Sequence, residues 1–98
     1  MKINVSTVHF DADQKLIEFV NQKVKKLTLF YEDIISSEVI MRLETNDEIG
    51  NKISEVKLVL PGGELFAKKQ CKTFEEAIDQ CVDALKPQIH RHKEKFKR

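Results

Sequence analysis

The order in which the hydrophobic period changes along the chain constrains the fold more than any other feature. Residues 2–9 alternate, with Ile3, Val5 and Thr7 on one side and Lys2, Asn4 and Ser6 on the other. That is the period of a strand with one buried face. The period then lengthens: Leu16, Val20, Val24, Leu27 and Tyr31 recur at helical steps, with Ile17 and Phe30 beside them. This predicts an amphipathic helix of about four turns. Either Asp11 or Asp13 can cap it by accepting backbone N–H bonds, and Asp11 with Gln14 has capping-box spacing. Alternation returns from Glu38 to Glu44, with Val39, Met41 and Leu43 inward, and again from Lys52 to Leu60, with Val56, Leu58 and Leu60 inward.

The stretches between these runs read as turns. TNDEIGN (45–51) is turn chemistry, and Pro61-Gly62-Gly63 is a tight turn because Pro presets φ and Gly accepts positive φ. A fourth strand from about Glu64 to Gln70 should pair with the third as a hairpin. Thr73-Phe74-Glu75-Glu76 has capping-box form, the Thr oxygen taking the amide three residues on and Glu76 reaching back. Phe74, Ile78, Cys81, Val82, Leu85, Ile89 and Phe96 then share one face of a helix that can run to the C-terminus. Pro87 interrupts it by removing a ladder bond to Asp83 and clashing with that carbonyl, which predicts a kink or a helix that ends and restarts.

The order β-α-β-β-β-α within 98 residues predicts a single α+β domain. Four strands and two one-sided helices make a two-layer sandwich, with both helices on one face of the sheet and the other face toward solvent. No apolar run reaches the roughly 20 residues of a membrane helix, and MKINVSTVHF has no export signature. The chain therefore reads as cytoplasmic, with Cys71 and Cys81 as reduced thiols rather than a disulfide.

Little in the chain suggests catalysis. Cys81 lies on an apolar helix face and reads as a buried structural thiol. Cys71 sits near a helix N-terminus, a position that can lower a thiol pKa, but no motif gives it a partner. His90 and His92 point about 200° apart on a helix and do not form a metal pair. His92, on the apolar side, reads as a core-edge histidine. Glu44, Asp47 and Glu48 read as a solvated loop. No phosphate-cradling loop joins a strand to a helix. No enzyme activity, cofactor, metal or small-molecule substrate is expected.

Charge is more informative. The formal net charge of +1 hides a split: residues 1–30 carry net +2, residues 31–64 net −5 and residues 65–98 net +4. Lys86 to Arg98 hold six basic residues and one acid, Glu94. Acids near the start of the last helix and bases near its end complement the helix dipole, but that effect fades within a turn. The basic run covers about three turns at 3.6 residues each. On a helical wheel Lys86, His90, Lys93 and Lys97 form one stripe and Arg91, Lys95 and Arg98 another, on opposite flanks of the apolar face. The first helix adds Lys23, Lys25 and Lys26 near its end. If the helices pack side by side, these basic ends can combine into one patch that reads phosphates. The acidic middle would face away. With no Trp and one Tyr, backbone and shape recognition of structured RNA is expected over base stacking.

These segments resemble a known family, the short ribosome hibernation-promoting factors and their ribosome-associated inhibitor relatives, grouped as sigma-54 modulation proteins. Lys23-Val24-Lys25-Lys26-Leu27 is similar to the family's K-x-x-K-L segment. Ala77-Ile78-Asp79, followed by Leu85-Lys86-Pro87-Gln88-Ile89-His90-Arg91-His92-Lys93, is similar to its A-I-D and K-L-x-x-Q-L-x-K-x-K signature. Ala84, Glu75 and Pro87 depart from the pattern. The resemblance implies a fold like that of double-stranded RNA-binding domains with an added first strand. It also implies binding to the small ribosomal subunit in the tRNA and mRNA channel, with translation silenced in stationary or stressed cells. Lys23, Lys26, Arg91 and Lys93 match the family's basic pattern. Lys25, Lys86 and Lys95 join them from the wheel. The expected form is one ribosome-binding domain over 1–98, without a C-terminal dimerisation domain and monomeric when free. A general double-stranded RNA-binding module and a protein-interaction domain are the competing readings.

Overall fold

The computed structural model describes residues 1–44 and 51–95. The elements run β1 (Lys2–Val8), α1 (Gln14–Lys25), a single 3-10 turn (Lys26–Leu29), β2 (Ser36–Leu43), β3 (Lys52–Leu60), β4 (Gly63–Cys71) and α2 (Phe74–Lys95). The four strands form one sheet in the order β1-β2-β3-β4. β1 pairs with β2 in parallel, and the two later pairings are antiparallel. The expected α+β order and two-layer arrangement are both present. Most of the expected turn at 45–51, together with Phe96 of the expected apolar face and Lys97 and Arg98 of the basic run, lies outside the described residues.

The pleat sends Val39, Met41, Val56, Leu58, Leu60 and Ala67 inward. They meet Val20, Val24 and Leu27 from the first helical segment and Ile78, Cys81, Leu85 and Ile89 from α2. At one end the Phe10 ring stacks on Phe74 with centroids 4.4 Å apart. The opposite face of the sheet carries ionic ladders. Lys57 lies 3.1 Å from Glu38 and 3.6 Å from Glu64. The hydrogen bond that Lys57 donates to Glu38, with the charges of both acids, raises the pKa of the Lys57 ammonium above its usual value.

Local chemistry set the boundaries that differ from expectation. Of the two candidate caps of α1, Asp13 is the one used, accepting from the Leu16 amide at 2.8 Å. The helix stops at Lys25 and tightens instead of continuing to Tyr31. Thr28 donates its hydroxyl to the Lys25 carbonyl at 2.7 Å, a back-bond typical of Ser and Thr that competes with the helical ladder. Phe30 and Tyr31 both donate to the Leu27 carbonyl, closing the segment. β2 starts at Ser36, two residues before the expected Glu38. The polar appearance of Ser37 hid a fully buried strand position.

Gly62 has φ 86°, the value required of the third residue in a turn with Pro61 second. Thr73 caps α2 through the Glu76 amide at 3.1 Å. Among the described residues the return bond, from the Thr73 N–H to the Glu76 carboxylate, is not made. α2 passes through Pro87 as one helix and does not end and restart. The apolar face on both sides of Pro87, from Leu85 to Ile89, is fully buried, and that packing holds the helix across the missing bond.

Candidate nucleic-acid interface

The helices bring the sequence-marked cations into two groups. Lys23, Lys26 and Lys86 line a groove between α1 and α2, with Leu29, Phe30, Val82 and two acids, Asp79 and Asp83. Lys93 lies farther along α2 on the same side and donates to the Phe30 carbonyl at 2.9 Å. Lys25 borders a shallow apolar recess beside this groove, with Gln22, Lys26, Thr28 and Leu29. Arg91 and Lys95 lie on the other flank of α2, facing the Gly62-Gly63 turn and Gln88. The single patch anticipated from two basic helix ends is therefore two surfaces, one on each side of α2.

The cations also differ in what they already hold. Lys23 pairs with Asp79 across the two helices at 2.8 Å. Lys86 pairs with Asp83 at 3.4 Å and stands 5.5 Å from the Phe30 ring centre. Lys25, Lys26, Arg91 and Lys95 are exposed and form no ion pair among the described residues. The acidic middle does not all turn away. Glu38, Glu55 and Glu64 lie on the far sheet face, joined to Lys57 or Arg42. Glu32 and Asp33, however, share a recess with Lys93 beside the 3-10 turn.

Both thiols are inside. Burial pushes the Cys81 thiol up to about 12, and its Sγ lies 3.3 Å from the Ser54 carbonyl. Burial also raises Cys71, with a smaller push from Glu76. The nearby helix N-terminus does not activate it, because desolvation of the thiolate dominates. His92 is buried at the core edge with Nε2 3.1 Å from the Pro61 carbonyl. His90 is exposed, 3.6 Å from Glu94. Among the described residues no three His, Cys, Asp or Glu side chains gather as a metal site. No described helix is long and apolar enough to cross a membrane.

Residues 3–97 match the family model described as Sigma 54 modulation protein / S30EA ribosomal protein. The chain belongs to this family. Among its relatives is a ribosome hibernation promoting factor of Pseudomonas putida, 33% identical, with 97% of this chain and 89% of the relative covered. One of the same name from Salmonella typhimurium is 32% identical, with 99% and 98% covered. Among solved structures, a ribosomal subunit interface protein from Coxiella burnetii superposes with a TM-score of 0.85 at 19% identity, covering 96% of this chain and 99% of that one. The N-terminal domain of Thermus thermophilus Protein Y gives 0.80 at 22%, with 94% and 99% covered. These two likenesses bear on the fold.

The segments that resemble the family pattern make identifiable contacts. Lys23 opens the K-x-x-K-L segment and Asp79 closes A-I-D, and the two form one ion pair. Gln88, inside the second signature, clamps the outer edge of β4. Its amide donates to the Phe66 carbonyl at 2.9 Å and accepts from the Phe66 N–H at 3.4 Å. Part of these segments thus holds α2 against α1 and the sheet. Neither contact was visible in the sequence, since both join residues far apart in the chain. Leu29 and Phe30 were also missed as surface groups. The helical stripe reads on to Tyr31 with Phe30 beside it, which gives no signal that the chain leaves the helix at Lys25.

Proposed function

We propose that this protein is a ribosome hibernation factor, acting by occupation and not by catalysis. It binds the small ribosomal subunit in the tRNA and mRNA channel and silences translation in stationary or stressed cells. One observation carries the reading: family membership over nearly the whole chain, with relatives named ribosome hibernation promoting factor matched along most of their own length. The surface chemistry supports it. Exposed Lys and Arg on both flanks of α2 suit the phosphates of structured RNA. Lys25, Lys26, Arg91 and Lys95 are the direct phosphate contacts, being exposed and uncommitted. Lys86 and Lys93 join them by exchanging weak internal partners for RNA. Lys23 acts chiefly by holding the two helices together. The protein works in the cytoplasm, where ribosomes are, as a single domain that is monomeric when free.

Co-sedimentation with purified small subunits tests this reading. The protein should travel with the subunit at low salt and be released at high salt, and excess RNA duplex should compete poorly. Absence from the subunit fraction at low salt rules the proposal out. Equal affinity for any duplex would make it a general double-stranded RNA binder instead.

A further inference from the structure

Two consecutive large apolar side chains stand out of the cationic side of the molecule. Leu29 is 82% exposed and Phe30 is 44% exposed. Single exposed apolar residues are ordinary. These two are adjacent, and both line the groove that holds Lys26 and Lys86. The Phe30 backbone is fixed on both sides: its N–H donates to Leu27 at 3.0 Å and its carbonyl accepts from Lys93 at 2.9 Å. The ring is thereby presented from an anchored position, with the Lys86 ammonium 5.5 Å from its centre. Asp79 and Asp83 also line the groove, but each is already paired with a lysine.

Phe66 provides the contrast. It is 50% exposed, but on the opposite face of the sheet. Its cross-strand neighbour Lys57 is tied to Glu38 and Glu64. Lys68, two residues along the same strand face, is exposed and forms no ion pair among the described residues, but no second apolar side chain stands beside Phe66 as Leu29 stands beside Phe30.

From this juxtaposition we infer that Phe30 is a stacking platform for one unpaired nucleobase of RNA, with Lys26 and Lys86 holding the flanking phosphates. An aromatic ring serves any base, because every base has a π-face, and nearby ammonium groups supply the backbone contact. Leu29 covers one side of the site. The inference rests on the ribosome-binding reading and specifies the RNA it takes: at this groove a single-stranded nucleotide, beside duplex or backbone contacts elsewhere on α2.

The chain contains no Trp, so Phe30→Trp introduces a single indole reporter at the groove, and Phe66→Trp supplies a control on the other face. Thermal unfolding of each variant confirms that it is folded. A short uridine-rich single strand should quench the indole of Phe30→Trp and leave that of Phe66→Trp unchanged, and bound small subunits should do the same. Phe30→Ala and Phe30→Leu should weaken single-strand binding about ten- to a hundredfold, whereas Phe30→Tyr should preserve it. If a subunit binds the Phe30→Trp variant while its emission stays unchanged, the stacking inference is wrong and the ribosome reading stands. If Phe30→Leu binds as well as the parent, the site takes an apolar group instead of a base. If no subunit binds, the ribosome reading falls, and quenching by the single strand still decides for or against the platform.

Discussion

Lys23 and Asp79 meet at 2.8 Å with both side chains partly open to solvent, 33% and 47% exposed. Water and salt therefore screen the pair, and removing either partner should cost at most about 1 kcal/mol. Lys23→Ala and Asp79→Ala should each lower the unfolding free energy by that order, and a double-mutant cycle should show that the losses are shared. Lys26→Ala, with no ion pair to lose, should leave stability unchanged and weaken RNA binding. Cys81 gives a separate test of the core. Its thiol is pushed from 9.0 to about 12 in the folded state, so the unfolded chain deprotonates first. The stability contributed by the protonated thiol is complete below pH 9.0 and is lost as pH rises from there towards 12. Unfolding curves of the parent and Cys81→Ser should therefore converge over that window. A thiol reagent at about pH 8, below the ordinary thiol pKa, should modify Cys81 only after the protein unfolds.

At the scale of elements, α2 depends on how it starts and on how it crosses Pro87. Thr73→Ala should cost about 1 kcal/mol by losing the cap, read as a Tm fall of about 4–8 °C. Pro87→Ala should raise stability by about 1–3 kcal/mol, since it restores a ladder bond and removes a clash in a helix that is already continuous. A Tm that falls would show that the surrounding packing is built around the proline. The strands were legible wherever apolar residues alternated, as along Lys52–Leu60. The start of β2 was not, because Ser37 is polar yet buried. The end of α1 was hidden as well, since it depends on the Thr28 hydroxyl turning back on Lys25. The cations of the interface were legible as types and stripes. Their division into two surfaces was not, because it depends on where α1 and the Gly62-Gly63 turn sit against α2.

At the scale of the whole molecule, a near-neutral chain presents positive charge where its helices end and neutralised ladders across the sheet behind them. On the proposed function, the helix side is the one that meets RNA. Binding through such a surface releases counterions, so affinity should fall steeply as salt rises, with a slope set by the number of phosphates contacted. The most direct measurement is the affinity for purified small ribosomal subunits over a range of salt concentrations, for the parent and for the folded variant carrying Lys26→Glu, Arg91→Glu and Lys93→Glu. Tight binding at low salt is expected for the parent. The variant should bind far more weakly, with a salt slope smaller by about three, one for each lost phosphate contact. Parent and variant binding with equal affinity and equal slope would contradict recognition through these helix faces.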